Sequence, residues 1–167
     1  MISWQLFEWT LPCPVNVQPS IAPVVLRVGE KEDEAVIARV VKAAFALDAS
    51  WGDMNNVLQE KMTGVVEVAF ASTTTACLVL AHGARVIGVS VVDTDEAALE
   101  HLLTGPCILC EYGNRGLASH LLAASLGLLA EKEVPMARGV ARVGSVAARF
   151  VYPKFGGRAV GTREDSI

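Results

Sequence analysis

The chain has 167 residues, of which 52% are hydrophobic and 19% charged, with a formal net charge of −4. That balance fits one globular domain and excludes a disordered chain. It offers no basic footprint for nucleic acid, and no apolar run reaches the ~18 residues of a membrane span.

The N-terminus has no basic leader ahead of an apolar core, so the cytoplasm is the expected location. Prolines at 12, 14, 19 and 23 bar one continuous helix or central strand through the first 23 residues. Residues 1–23 are therefore expected to form an arm packing on a domain of residues 24–167. Trp4, Phe7 and Trp9 are its anchors, with packing as their ordinary role and a dimer contact or substrate-pocket wall as the functional alternative.

Val24 to Val28 reads as a short strand, and the apolar spacing from Asp33 through Phe45 predicts a helix. A second helix is expected over 53–70, ended by the run Ser72 to Thr75. Residues 77–80 and 86–92 read as strands joined by a hairpin at His82-Gly83-Ala84. Asp93 to Glu100 is a polar loop, and His101 to Cys110 is expected as a strand bent at Gly105-Pro106. Gly113 to Glu131 predicts a long helix with Leu117, Leu121, Leu122, Leu126 and Leu129 buried. A strand over 137–143 and a short helix over 145–151, with Ser145 as its N-cap, complete a mixed α/β order.

Cysteines 13, 77, 107 and 110 make no disulfide framework in a chain of this length. Cys107-x-x-Cys110 has metal or redox spacing, but no second pair accompanies it and the histidines at 82, 101 and 120 are scattered. Plain thiols are the expected reading, with no metal.

Gly113 and Gly116 bracket Asn114-Arg115 where a strand turns into a helix. A helix start presents unpaired N–H groups and a positive dipole end, and glycine lets an anion approach the backbone. The dinucleotide pattern GxGxxG, the NTP-binding loop GxxxxGK[ST] and the hydrolase elbow GxSxG are all absent. The segment Ile108-Leu-Cys-Glu-Tyr-Gly-Asn-Arg-Gly-Leu-Ala-Ser-His-Leu-Leu122 instead resembles the acyl-CoA loop of the GNAT superfamily of N-acetyltransferases. Ser145-x-x-Ala148-x-x-x-Tyr152-x-Lys-x-Gly156 resembles a second motif of that family at matching spacing. Gly113 stands where the family usually has Arg or Gln, Cys110 where it has proline, and Ser145 where it has Asn.

The resemblance implies a mainly antiparallel sheet flanked by helices, with a splayed strand pair forming an acyl-CoA cleft. It implies acetyl transfer from acetyl-CoA to a primary amine of a small molecule or peptide; a non-catalytic acyl-CoA-binding or regulatory module of the same fold is the alternative. By resemblance, Gly113, Asn114, Arg115, Gly116, Leu117 and Ala118 would hold the CoA pyrophosphate. Ile108, Leu109 and Cys110 would line the pantetheine, with Ser145 nearby. Tyr152 would protonate the departing thiolate, since a phenol stays protonated at neutral pH. Glu100 or His101 is the candidate base, with Thr104 on the same stretch. The acidic residues 93, 95, 96 and 100 would suit a cationic amine, although a solvated loop is their ordinary role. The polar end after Gly157 reads as a truncated last strand, one that a partner chain in a homodimer would complete.

Overall fold

The computed structural model describes residues 1–13, 23–46 and 49–165. Two sheets organise them. Strands β2 (Val24–Val28), β3 (Thr75–His82), β4 (Arg85–Asp93) and β5 (Cys107–Ile108) form the first, antiparallel throughout in the order β2-β3-β4-β5. The second has the order β6-β1-β7, from β1 (Ile2–Thr10), β6 (Met136–Arg142) and β7 (Arg158–Asp165), again antiparallel.

Helices α1 (Glu34–Ala46) and α2 (Asn55–Ala71) cover one face of the first sheet. Ile37, Val40, Val41, Met62 and Val66 pack there against Cys77, Val79, Val89 and Val91. The intervening strand residues Leu78, Leu80 and Ile87 point the other way and meet Leu117 and Leu121 of α3 (Leu117–Glu131). This is the period of two expected of strands buried on both faces. Further along α3, Leu122, Leu126 and Leu129 pack with Phe7, Trp9 and Ala137 of the second sheet. One helix therefore clamps the two sheets side by side. The hairpin between β3 and β4 turns through Gly83, whose φ of 60° suits a residue without Cβ.

Two expectations need correction. Residues 2–10 are not part of a packing arm; they are the middle strand of the second sheet, because the first proline comes only after the strand has ended. Residues 14–22 of the expected arm lie outside the described residues. A last strand does form after Gly157. Arg158–Asp165 pairs with β1 from Ile2↔Asp165 to Glu8↔Arg158, its polar side chains suiting an exposed edge strand. The strand expected over 101–110 is likewise reduced to Cys107–Ile108 plus a lone bridge position at Leu102.

β1 alternates regularly, and its buried half changes face along the strand. Ile2 and Trp4 pack with Leu58 on the α2 side, whereas Phe7 and Trp9 pack with Tyr152 and α3.

The candidate active cleft

The two sheets join at one point and part beyond it. Leu102 bridges Val92 on one side and Gly139 on the other, the latter in parallel sense. The His101 and Leu102 N–H groups both donate to the Arg138 carbonyl, at 2.8 and 3.1 Å. Gly139 eases this approach, since a Cβ would lie 3.1–3.3 Å from the Leu102 side chain and press it aside. Past the bridge, no ladder joins β5 to β6 among the described residues. The Leu109 N–H donates to the Ile87 carbonyl, and Cys107 pairs with Val89 in the same register. By antiparallel alternation the Ile108 N–H and C=O then point away from β4, into the gap.

The gap holds a cavity of about 530 Å³. Thr104, Gly105, Pro106, Cys107 and Ile108 line one wall, and Val140, Ala141 and Arg142 the other. The turn Gly144 to Ala147 and Tyr152 close one side, and Trp4, Ala44, Phe45 and Trp51 the opposite side. A second cavity of about 620 Å³ lies between α1 and the loop at Leu109 and Glu111, outside the strand gap. It is the larger of the two, but the polar backbone and the phenol converge only on the first.

Tyr152 follows a π-helical turn (Ala147–Val151) and opens the short helical turn α4 (Tyr152–Lys154). Ser145 begins this segment as expected, its Oγ accepting the Ala148 N–H at 3.2 Å. The Tyr152 ring is 3% exposed. Its hydroxyl lies against Gly105, where a Cβ would sit 2.9 Å from Oη. Gly105 has φ +64°, so both conformation and space require glycine at the cleft wall. Burial, followed by the nearby Cys107, pushes the phenol above its ordinary value, so it is protonated throughout the physiological range. Burial also pushes the Cys107 thiol up to about 12.

The glycine-bracketed loop stands at the start of α3. Gly116 is its N-cap in the left-handed region, φ 75°, and Asn114 has φ 58°. The first helical N–H groups, at Leu117, Ala118 and Ser119, have no intrahelical acceptor. Nothing lies within 4 Å of where a Gly116 Cβ would project, so the backbone can be approached closely. This donor set fits a phosphate anion. Arg115 folds back on the loop, 5.2 Å from the Tyr112 ring centroid, and donates to the Glu111 carbonyl at 3.2 Å. Arg85 pairs with Glu111 at 2.6 Å, and Tyr112 Oη lies 3.0 Å from His82 Nδ1. Gly113 closes the preceding turn by donating to the Cys110 carbonyl at 3.0 Å.

The remaining sequence candidates separate. Ile108 and Ser145 line the strand gap, whereas Leu109 lines the second cavity and Cys110 is exposed. Glu100 does not reach the cleft, because its carboxylate is held by Arg163 at 2.7 Å. His101 is fully buried with both ring nitrogens occupied: Nδ1 accepts the Arg138 N–H at 3.0 Å, and Nε2 donates to the Asp95 carbonyl at 3.1 Å. That fixes a neutral ring as a stitch between the acidic loop and β6, and neither residue is placed to take a proton from an amine in the gap. Thr104 does line the gap, with Oγ1 accepting from the Val91 N–H and donating to the Gly105 carbonyl. The acidic stretch makes its own turns, Asp93 accepting from the Asp95 N–H and Asp95 from the Ala97 N–H. Cys107 is buried while Cys110 is exposed, and no cluster of three ligand-type residues exists among the described residues. Trp51, Phe45 and Arg142 were not legible as site residues, since only the strand gap collects them.

No family model matches the chain, and no curated protein does. Solved structures do. A GCN5-related N-acetyltransferase from Sphaerobacter thermophilus is 15% identical with a TM-score of 0.61, covering 96% of this chain and 49% of its own. A GNAT-family acetyltransferase from Novosphingobium aromaticivorans is 14% identical with a TM-score of 0.59, covering 96% and 61%. A protein of unknown function from Staphylococcus epidermidis is 13% identical with a TM-score of 0.67, covering 96% and 59%. The chain thus spans about half to three fifths of the length of these neighbours.

Proposed function

Starting from a chain with the fold of the GCN5-related N-acetyltransferases, we propose that it transfers an acetyl group from acetyl-CoA to a primary amine. The observation that carries this is the gap between β5 and β6, with the Ile108 backbone groups turned into it and Tyr152 at its side, and with the start of α3 beside Ile108 through the cluster at Leu117. Backbone groups left unpaired inside a fold need partners, and the amides of an extended thioester tail supply them.

Each group then has a task. The N–H groups of Leu117 and Ala118, beyond Gly116, bind the diphosphate. They are main-chain donors, so Gly113 in place of Arg or Gln leaves them intact. Ile108 orients the tail by strand-like pairing. Acetyl-CoA supplies an acetyl thioester open to attack by an amine, with the thiol as leaving group. As the C–N bond forms and the C–S bond breaks, Tyr152 holds its proton beside the sulfur, where negative charge collects. The attacking amine gives up its proton to water.

Acetyl-CoA should raise the melting temperature by mass action, and an amine panel should release CoA thiol. A melting curve unmoved by millimolar acetyl-CoA would overturn the reading. A shift without thiol release from any amine would leave a binding module.

A further inference from the structure

The side of the cleft opposite α3 is built differently from the rest of it. Trp4 from β1, Phe45 from the end of α1 and Trp51 from the turn before α2 stand together there. Trp51 is the middle ring, 5.7 Å from Trp4 and 6.0 Å from Phe45 between centroids. The Arg142 guanidinium lies over Trp51 at 4.9 Å, and it is the one charged side chain among the described residues lining the cavity. Trp4 is 8% exposed, and its Nε1 is buried with no hydrogen-bond partner. A wall of three neighbouring rings offers planar apolar contact, which suits an aromatic group better than a flexible polar chain. The diphosphate donors are on the α3 side, which leaves this wing to the second substrate.

We propose that the Trp4–Phe45–Trp51 wing binds the acceptor, and that the acceptor is an amine carried on an aromatic group, of the arylalkylamine class. The proposal rests on the transferase reading and names the substrate of that same site. The acidic stretch at 93–100 lies outside the cavity lining and has no part in it.

The test compares kcat/KM, with acetyl-CoA, for phenethylamine, tryptamine, n-butylamine and spermidine. The full chain is assayed beside Trp51→Ala, Trp51→Leu and Phe45→Leu, with the acetyl-CoA melting shift read on each as evidence of folding. The aryl amines should exceed spermidine and butylamine by at least about tenfold, the scale of selection in an apolar pocket. Trp51→Ala should reduce the aryl-to-butylamine ratio by about tenfold, with Trp51→Leu intermediate. A preference for spermidine, or equal losses on all amines, overturns the proposal while a normal acetyl-CoA shift keeps the transferase reading. A Trp51→Ala effect confined to longer acyl thioesters overturns it too, by giving the wing to the acyl chain. No acetyl-CoA shift in the unaltered chain overturns both.

Discussion

Trp9 and Tyr152 meet edge to face, with ring centroids 5.1 Å apart and planes at 73°. Phe7 meets the same tyrosine ring at 5.2 Å and 89°. Both partners come from β1, so the strand nearest the N-terminus aims the phenol that serves the cleft. The ring is a core side chain, and its hydroxyl is the part that reaches the cavity wall at Gly105.

Tyr152→Phe keeps those ring contacts and removes the proton donor. Turnover should fall roughly 10²-fold, the usual scale for a general acid, while the melting temperature changes little. Because burial holds the phenol above its ordinary pKa near ~10, wild-type activity should show no loss of this donor up to about pH 10. Thiol-release rates across pH, beside thermal melts, check both statements. Full turnover in the phenylalanine variant would remove Tyr152 from the chemistry.

Gly116→Ala puts a Cβ on a left-handed residue at the proposed phosphate site. The conformation should cost about 1 kcal/mol of stability. The larger effect should be on acetyl-CoA, whose stabilisation of the folded protein should shrink more than that seen with Gly127→Ala, a glycine on α3 away from the loop. Paired melts with and without the ligand separate the two losses.

His101 gives a pH signature of folding. Burial lowers its pKa, so the folded state resists protonation while the unfolded chain titrates near ~6.5. The unfolded state therefore binds more protons once the pH falls below about 6.5, and stability should decline from there until the folded-state pKa is reached. Urea denaturation between pH 7.5 and 5 should show this slope, and His101→Gln should flatten it. An unaltered slope in the variant would mean that His101 is not its source.

Thiol reactivity should follow burial. Cys110 is exposed, whereas burial raises Cys77 to about 11 and Cys107 to about 12. Iodoacetamide at pH 8 should modify Cys110 first and leave Cys77 and Cys107 untouched until denaturant is added, as peptide mass spectrometry would reveal. Early modification of Cys107 would show that the cleft wall opens in solution.

The sequence revealed what is periodic or glycine-marked. The stripes of α1 and α3, the β3–β4 hairpin and the Ser145 cap all lie where spacing and turn chemistry put them, whereas on α2 Val57 is exposed and Val66 and Ala69 are buried. It misled where the signal is relational. Prolines that follow a strand resemble prolines within it, so Ile2–Thr10 reads as an arm until its partners at 136–142 and 158–165 are known. β7 is polar because it is an edge, and polarity alone looks like a tail. Glu100 and His101 sit close to the cleft in sequence, yet one is drawn off by Arg163 and the other by Arg138 and Asp95. Trp51 enters the site only because the end of α1 and the turn before α2 pass beside β1.

The register Ile2↔Asp165 also sets an order of events during folding. The first sheet draws on residues 24–108 and can assemble from contacts of modest separation, but the second needs both ends of the described chain together. On a ribosome, β1 is made well before β6 and β7 and waits for both of them to acquire its neighbours. Such long-separation pairing slows the last step, so the strand gap should be completed after most of the compaction is over.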